Sequence, residues 1–401
     1  MKAGWKYKNL ADLCTFFGDG DWIESKDQSS NGIRLIQTGN VGEGVFKDRG
    51  DKARYINEET FARLRCTEIF EGDCLISRLP DPVGRSSILP DTGERMITAV
   101  DCTILRFNHQ LCLPEFFNYY SQSIEYINNI SERCTGTTRN RISRSQLGNT
   151  PIPTPDVGEQ RRIVTLLDEV FADIATAKAN AEKNLQNARK LFESHLQAIF
   201  STRGANWEDK TLEQISTTFG RGKSRHRPRN DPALYGGKYP FVQTGDVRNA
   251  EHIITEFSQT YSEAGLAQSK LWPKGTICIT IAANIAETGI LGFDACFPDS
   301  VIGVVPNPNE AEVGYVEYVL QSFKARLQAL GQGSAQANIN MGTFENERFP
   351  FPKVEEQRRI VTKLDALSEE SQRLESIYRQ KLTALDDLKK SLLHQAFSGQ
   401  L

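Results

Sequence analysis

The chain has 401 residues, 39% of them hydrophobic, with a mean hydropathy of −0.45 and a formal net charge of −3. This length suggests two or three domains with enough apolar material for two cores, and the nearly balanced charge does not indicate a nucleic-acid-binding surface over the whole protein. No apolar run reaches the roughly 18 residues of a membrane span and no secretory signal opens the chain, so we expect a cytoplasmic protein with no membrane partner.

The first 155 residues predict a mixed, β-rich domain. Short apolar runs bounded by turn residues predict strands at 33–37 and 74–78. Phe17–Gly20 has the composition of a turn, and Pro114 begins a helix that is predicted to run to about Ile130. A proline-spaced segment at 151–155 has the composition of a strand end.

A seven-residue stretch occurs twice, as Glu159–Thr165 and again as Glu356–Thr362. Each copy follows a proline-spaced segment, opens a long helical pattern and closes on a Phe-Ser pair, Phe200–Ser201 in the first copy and Phe397–Ser398 in the second. Other landmarks recur in the same order, among them Gln37-Thr38-Gly39-Asn40 and Gln243-Thr244-Gly245-Asp246. A repeat of this length fits a duplicated domain that carries a long helix.

The repeat therefore predicts an α+β protein with two tandem mixed α/β domains joined by two long helices. The predicted boundaries are a first domain at 1–155, a first spacer helix at 156–203, a second domain at 204–352 and a second spacer helix at 353–401.

Both long helices carry a heptad pattern, which is typical of a coiled coil. Asn184 and Lys381 interrupt the two apolar series near their middles, and polar residues at such positions fix register and orientation, so we predict an antiparallel coiled coil. The alternative that each apolar face packs on its own domain stays open. Asp156 with Glu159 predicts a capped start for the first helix, whereas Lys353 replaces the aspartate in the second. The apolar residues assigned to this spacer are Ile163, Leu167, Val170, Ile174, Ile360, Leu364, Leu367 and Leu385.

No catalytic or metal-binding constellation stands out. Phe16–Gly20 matches the F-x-G-x-G pattern of some S-adenosylmethionine sites, but a structural turn explains it better because no Asp/Asn-Pro-Pro-aromatic tetrapeptide accompanies it. The eight cysteines include no CxxC pair, the five histidines are dispersed, and no phosphate-binding G-x-x-x-x-G-K-[ST] loop occurs. We therefore predict a non-catalytic chain without a metal.

Two basic loops give the positive signal for DNA. The segments 221–229 and 133–144 are rich in arginine, which clamps phosphates and reads guanine edges. A solvated surface loop is the alternative explanation. Gln37 and Gln243 stand beside turn glycines, where each either faces a base or closes the turn.

With these features together, the chain resembles the specificity subunit of type I restriction-modification systems. The resemblance spans the whole length and rests on motifs whose order is repeated. These are the P-x-P…E-Q-R-R-I-V entry to each helix, the Q-T-G-[ND]-V turn, the Gly-Asp-x-Leu-Ile-Ser strand at 72–77, the Gly-Ser/Thr…Ile loop before each helix, and the Phe-Ser-Gly-Gln-Leu ending.

The resemblance implies that the two domains are target-recognition domains, each reading one half of a bipartite DNA sequence. The helices would form a spacer that docks two methyltransferase subunits, with restriction subunits joining them. The reaction would be adenine-N6 DNA methylation, with S-adenosylmethionine held by the methyltransferase, ATP and Mg by the restriction subunit, and no cofactor by this chain. The expected DNA-binding residues are Gln37, Arg78, Arg85, Arg139, Asn140, Arg141, Arg221, Lys223, Arg225, Arg227, Gln243, Gln336 and Asn338.

Two other functions stay open from the sequence. One is a non-catalytic coiled-coil scaffold that joins two protein- or glycan-binding domains, which would not shift DNA even with a methyltransferase present. The other is a self-contained methyltransferase, which would bind S-adenosylmethionine as an isolated chain.

Overall fold

A computed structural model of the chain describes residues 5–136, 140–226, 228–282, 285–331 and 341–401. The chain forms two compact units, one made of residues 1–182 with 380–401 and the other of residues 183–379. Each unit therefore contains one domain, the first part of one long helix and the last part of the other.

The domain of the first unit has two four-stranded sheets. Its strands are β1 Lys6–Asn9, β2 Cys14–Asp19, β3 Ile33–Ile36, β4 Arg54–Ile56, β5 Glu68–Ile69, β6 Cys74–Ser77, β7 Ser86–Ile88, β8 Met96–Thr98, β9 Cys102–Phe107 and β10 Pro151–Thr154. One sheet is antiparallel in the order β2-β9-β6-β7, and the other, β4-β3-β8-β5, pairs β3 with β8 in parallel. Its helices are α1 Glu58–Leu64, α2 Pro114–Tyr120, α3 Ile124–Arg133 and α4 Arg144–Gly148, followed by the long helix α5 Val157–Ser201.

The domain of the second unit is built on a five-stranded sheet in the order β12-β18-β16-β17-β14. Its strands are β11 Glu208–Lys210, β12 Ser216–Arg221, β13 Tyr235–Phe241, β14 Ile253–Ile254, β15 Gln259–Tyr261, β16 Ile277–Thr280, β17 Thr288–Leu291, β18 Val301–Pro306 and β19 Phe349–Phe351. Its helices are α6 Thr244–Asn249, α7 Glu263–Ala267, α8 Val313–Gly331 and α9 Met341–Asn346, followed by the long helix α10 Val354–Ser398.

The predicted strands at 33–37 and 74–78 are present as β3 and β6, but two other local predictions are wrong. Residues 17–19 belong to β2, where Gly18 and Asp19 pair with β9, so Phe17–Gly20 is not a turn. The helix predicted from Pro114 to Ile130 is two helices, because the Ser123 side chain accepts a hydrogen bond from the Tyr126 N–H (3.2 Å) and caps a new start.

A buried glutamine attaches the first long helix to its domain. Gln160 is fully buried, and its Nε2 donates to the carbonyls of Leu111 and Pro155, both at 2.9 Å. Its Oε1 accepts the N–H of Leu113 at 2.9 Å. One side chain thus satisfies three backbone groups, and it holds the helix start, the strand before it and the loop before α2 together.

The second copy repeats this attachment. Gln357 is also fully buried; its Nε2 donates to the carbonyls of Glu310 (3.1 Å) and Pro352 (2.8 Å), and its Oε1 accepts the N–H of Glu312 (2.8 Å). The glutamine of the repeated Glu-Gln-Arg-Arg motif is therefore a structural residue in both copies.

The repeated Phe-Ser pairs have an equally structural reason. In the first unit, Phe397 from the end of α10 packs edge-on against Phe116 and Tyr120 of α2, with ring centroids 5.3 and 5.2 Å apart. In the second unit, Phe200 from the end of α5 packs on Tyr315 of α8, 5.6 Å away. Each domain therefore holds the start of one long helix and the end of the other.

The two long helices run antiparallel within each unit, as predicted. In the first unit Lys178 bonds to Asp386 at 2.6 Å, and Ile163 and Phe397 share one core cluster. In the second unit Arg189 bonds to Glu375 at 3.0 Å. The helix α5 also begins as predicted, with the Asp156 carboxylate accepting the N–H of Glu159 at 2.9 Å.

The polar positions that were predicted to lie in the helix seam do not lie in it. Asn184 and Lys381 are exposed, whereas the next residue in each helix, Leu185 and Leu382, is partly buried. A straight helix drifts by about 20° per heptad relative to a 3.5-residue repeat, so after about three heptads the buried face moves to the neighbouring residue. Of the other assigned residues, Ile163, Leu167, Ile174 and Leu364 are buried, and Val170, Ile360, Leu367 and Leu385 are partly buried.

Small residues bring the helices close in the second unit. Ser371, which interrupts the apolar series of α10, is buried and its hydroxyl donates to the Ala188 carbonyl at 2.8 Å. A serine and an alanine at this level leave room for a side-chain-to-backbone hydrogen bond between the helices.

Replacing Gln160 or Gln357 by alanine should destabilise the protein by about 3 kcal/mol, because each change leaves buried backbone groups without partners. Denaturant unfolding followed by circular dichroism measures this change. Gln186→Ala on the exposed face of α5 is the control and should change stability by less than about 0.5 kcal/mol. Equal effects of all three variants would refute the structural role.

Ala188→Leu should lower stability by about 1–3 kcal/mol, because the larger side chain overpacks the close contact with Ser371. Asn187→Leu places the same leucine side chain at an exposed neighbouring position and should be nearly neutral. Thermal unfolding of the two variants beside the parent chain tests the helix contact, and an unaffected Ala188→Leu protein would contradict it.

Candidate nucleic-acid interface

The repeated Q-T-G-[ND]-V stretch makes the same backbone lock in both copies. The Gln37 N–H donates to Asn40 Oδ1 at 3.0 Å, and the Gln243 N–H donates to Asp246 Oδ2 at 2.8 Å. Both glutamines are partly exposed and lie near the end of a strand. Gln37 directly follows β3, and Gln243 lies two residues after the end of β13. The repeated motif thus places one glutamine at an equivalent point of each domain.

The surroundings of the two glutamines differ in charge. Gln37 shares a cleft of about 150 Å³ with four cationic side chains, Arg34, Arg49, Lys52 and Arg54. Of these, Arg34 is buried and paired with Asp48 and with Glu94 (3.0 Å), while the other three are exposed. This side of the first domain offers positive charge beside a side chain that can pair with a base edge.

In the second domain, the helix that follows Gln243 borders an acidic cleft. This cleft of about 500 Å³ is lined by Asp246, Glu251, His252 and Glu256 among others. Carboxylates repel phosphates, so this cleft does not suit a nucleic-acid backbone.

The basic loop of the second domain is anchored through its backbone. The Gln268 Oε1 accepts the N–H groups of Arg225 (2.6 Å) and His226 (3.0 Å), and the Lys223 carbonyl accepts the Ser269 hydroxyl at 2.8 Å. Lys223 and Arg225 expose their side chains. A fixed backbone with exposed cationic side chains suits contact with DNA.

Two other arginines of this loop are engaged with the domain. Arg221 Nε donates to the Asp299 carbonyl at 2.7 Å, and Arg229 pairs with the Asp299 carboxylate at 2.9 Å. Both remain exposed at the surface. Arg227, which was predicted as a DNA contact in the same loop, lies outside the described residues.

In the first domain, the loop before α4 exposes Asn140 and Arg141. Arg141 pairs with Asp101 at 3.0 Å and is about half exposed, and its backbone bridges to Thr135. A partly exposed ion pair of this kind contributes little to stability, so its arginine is available to another anion. The predicted DNA contacts Arg139, Gln336 and Asn338 lie outside the described residues.

Arg78 and Arg85, both predicted as base readers, are held inside the domain. Arg78 is only 4% exposed, donates to the Val100 carbonyl at 2.6 Å and lies 3.3 Å from Asp19. Burial lowers the pKa of its guanidinium. A side chain in this position does not present its donors to a duplex, so we remove Arg78 from the expected readers.

Arg85 uses its guanidinium to bind backbone carbonyls. It donates to Val41 (2.7 Å) and Thr38 (2.9 Å) on one side, and to Leu79 (2.8 Å) and Pro82 (2.9 Å) on the other. It thereby ties the Gln37 turn to the loop at 79–82, and we reassign it from reading bases to positioning this turn.

The cationic segment from Lys47 to Arg54 was not singled out from the sequence. Its cations are interleaved with Asp48 and Asp51, so it has the look of an ordinary solvated surface stretch. Only the antiparallel pairing of β3 with β4, which sets Leu35 opposite Arg54, brings it back beside Gln37. The only signal in the sequence was its position shortly after the repeated turn.

A buried acid lies behind the acidic cleft of the second domain. Glu317 is fully buried and accepts hydrogen bonds from Thr288 (2.7 Å) and Gln321 (2.6 Å), and it lies 2.8 Å from Nδ1 of His252. Burial alone would lower the pKa of His252, but its hydrogen bond to Glu317 and the charge of that acid outweigh burial and raise it. The His252 ring also stacks on Tyr318.

This pair predicts a pH-dependent stability. The folded-state pKa of His252 is raised, so its pairing with Glu317 stabilises the folded protein. This stabilisation is fully present below the ordinary histidine pKa of about 6.5 and is lost as the pH rises through the raised pKa. His252→Gln removes the titration, so the difference in thermal midpoint between parent and variant should shrink as the pH increases. His109→Gln makes the same substitution at an exposed position and serves as the control. A pH-independent difference would contradict the assignment.

Among the described residues, no group of histidine, cysteine and acidic side chains could hold a metal ion. In the same part of the chain, no helix is long and apolar enough to cross a membrane.

The fold and the site define a duplicated chain of two mixed domains, each of which presents a repeated glutamine turn and its own set of exposed cationic loops. The family model described as "Type I restriction modification DNA specificity domain" matches residues 2–185 and again residues 205–383. The chain belongs to this family and carries two copies of its domain.

Curated relatives agree in type. The chain is similar to the MjaX specificity subunit of Methanocaldococcus jannaschii, with 22% identity over 99% of this chain and 93% of the relative. It is also similar to the type I restriction enzyme EcoKI specificity subunit of Escherichia coli, with 23% identity over 75% of this chain and 68% of the relative.

Two solved structures share the fold over the whole chain. One, from a study of complex assembly and conformational transition of the type I R-M system, superposes with a TM-score of 0.81 at 19% identity and covers 100% of this chain and 99% of its own. The HsdS subunit from Thermoanaerobacter tengcongensis superposes with a TM-score of 0.67 at 20% identity, covering 100% and 98%.

Family membership establishes the class of function. The chain is a non-catalytic specificity subunit whose role is recognition of a DNA target, and the family gives it no cofactor of its own. The alternative of a scaffold for protein or glycan partners finds no support in these relatives.

Proposed function

We propose that this chain reads a bipartite DNA sequence and directs adenine-N6 methyltransferase subunits to it. Residues 1–155 and 204–352 act as the two target-recognition domains, and residues 156–203 and 353–401 act as the spacer helices. DNA as the target implies that the protein works in the cytoplasm.

The observation that carries this proposal is the contrast between what the two copies share and where they differ. They share the glutamine attachment of the helix to the domain, down to its three hydrogen bonds. They differ in the charge beside the repeated turn, which is basic near Gln37 and acidic near Gln243. Two domains that are attached to their helices in the same way but have different surfaces suit the recognition of two different half-sites.

The expected readers fall into three groups in this proposal. Gln37 and Gln243 contact bases from the repeated turns. Asn140 and Arg141 contact DNA from the first domain. Lys223 and Arg225 act in the second domain, with Arg221 beside them. A good bidentate base contact contributes about 1–3 kcal/mol of discrimination against the wrong base. Arg139, Arg227, Gln336 and Asn338 stay in the proposal on sequence grounds alone.

The repeated Glu-Gln-Arg-Arg motif supports two copies of one partner. Its glutamine is buried, but Arg161 in the first copy and Arg358 and Arg359 in the second are exposed on the first turns of the helices. Two equivalent surfaces on one chain suit two identical subunits. We assign these subunits to the methyltransferase, which holds S-adenosylmethionine, and assign ATP and Mg to restriction subunits that join the complex.

Exchange of residues 1–155 for the corresponding domain of another specificity subunit should change one half of the methylated sequence and leave the other half and the gap unchanged. Sequencing of the host methylome, with the parent chain, with the exchanged chain and without either, measures this outcome. The matched control exchanges residues 204–352 and should alter only the other half. The proposal would be overturned if deletion of the chain left every bipartite adenine-methylation motif in place. A change of both halves by a single domain exchange would also overturn it.

A further inference from the structure

We propose that Arg49, Lys52 and Arg54 form a cradle for one backbone phosphate of the target DNA, directly beside Gln37. This inference rests on the proposed function and names a contact that the family assignment does not supply. The cradle positions the duplex, while Gln37 is left to read a base.

The shape and charge of the cleft suit a phosphate. Its volume is about 150 Å³, which is below the roughly 300–1,000 Å³ of sites that enclose whole small molecules, and so it fits a single group. The charged side chains that line it are all cationic, and no carboxylate lines it. Asp51 is exposed on the same turn but lies outside the lining.

The three cradle residues form no ion pair with an acidic side chain of the described residues. The fourth lining cation, Arg34, is buried and bonded to Asp48 and Glu94, so it forms the wall of the cleft. Arg49, Lys52 and Arg54 are exposed, and no acidic side chain in the described part of the chain forms an ion pair with them. Three unneutralised cations around one small cleft favour an anion from outside the chain.

A glycine in the repeated turn makes room for one of these cations. A Cβ added to Gly39 would lie 2.2 Å from Nη1 of Arg49, so the guanidinium could not keep this position against the turn if residue 39 had a side chain. The equivalent Gly245 of the second copy has nothing within 4 Å of such a Cβ. Neither glycine has a positive φ, so space rather than backbone conformation distinguishes the two sites.

The turn that carries Gln37 is rigidly tied to the cradle. Asn40 locks the turn by accepting the Gln37 N–H and by donating to the Lys47 carbonyl at 3.0 Å, just before the cradle segment. Arg85 binds the Thr38 carbonyl from the other side. A phosphate held in the cleft would therefore set the register of the base edge that Gln37 meets, because phosphate contacts position a duplex and base contacts specify its sequence.

The first test measures DNA affinity against salt concentration for the chain assembled with its methyltransferase, on a cognate and on an unrelated duplex. Arg49→Ala, Lys52→Ala and Arg54→Ala should each weaken both duplexes by the same factor and lower the slope of log affinity against log salt. Because the three cations share one phosphate, no variant, including the triple one, should lower the slope by more than about 1. A loss confined to the cognate duplex would mean base reading instead and would overturn the phosphate assignment.

The second test keeps every charge. Gly39→Ala places a methyl group where Nη1 of Arg49 lies, so the guanidinium must shift from its place against the turn. The salt slope should fall by less than it does in Arg49→Ala, with little change in the thermal midpoint. Gly245→Ala adds the same methyl group in open space and should leave the slope unchanged. If the salt slope is unchanged in Gly39→Ala and in all three alanine variants of the cradle, the cradle is refuted and the proposed function stays intact. If the parent complex binds no duplex at all, the proposed function itself is refuted.

Discussion

The buried amide of the repeated Glu-Gln-Arg-Arg motif is the interaction on which the architecture depends. In each copy it is fully buried and satisfies two carbonyls and one N–H, and a buried polar group without a partner is costly. The helix start therefore has one orientation on its domain, and the aromatic contact of Phe397 or Phe200 secures the end of the other helix on the same domain. Antiparallel pairing within each unit follows from these two attachments.

Because the attachment of each domain to its helix is the same in both copies, the solvent-exposed surfaces of the two domains can differ. The repeated glutamine turn keeps its backbone lock in both copies, but the residues around it have changed from Asn40 to Asp246 and from a cationic cleft to an acidic one. Charge beside a shared turn is thus the variable that distinguishes the two readers. Because one domain is basic beside this turn and the other is acidic, the net charge of the whole chain does not indicate its ligand.

Arginine content is a poor guide to which arginines are exposed and free of strong contacts within the domain. Arg78 and Arg85 come from the same strand-and-loop segment, yet one is buried against Asp19 and the other binds four backbone carbonyls. In the sequence, Asp48 and Asp51 on either side of Arg49 offset the cations of this segment, so it does not stand out as basic. Exposure and pairing decide whether a guanidinium is available, and both are set by residues far away along the chain.

The sequence by itself determined the duplication, the class of fold and the family, because these depend on repeats, hydrophobic periodicity and local motifs. Only the tertiary structure decided which faces of the helices are buried, since the small difference between 3.5 and 3.6 residues per turn moves the seam from Asn184 to Leu185. It also decided where the cationic cleft lies, because the pairing of β3 with β4 joins residues that the chain order separates. Periodicity is a local property, but side-chain proximity and burial depend on the packing of the whole domain.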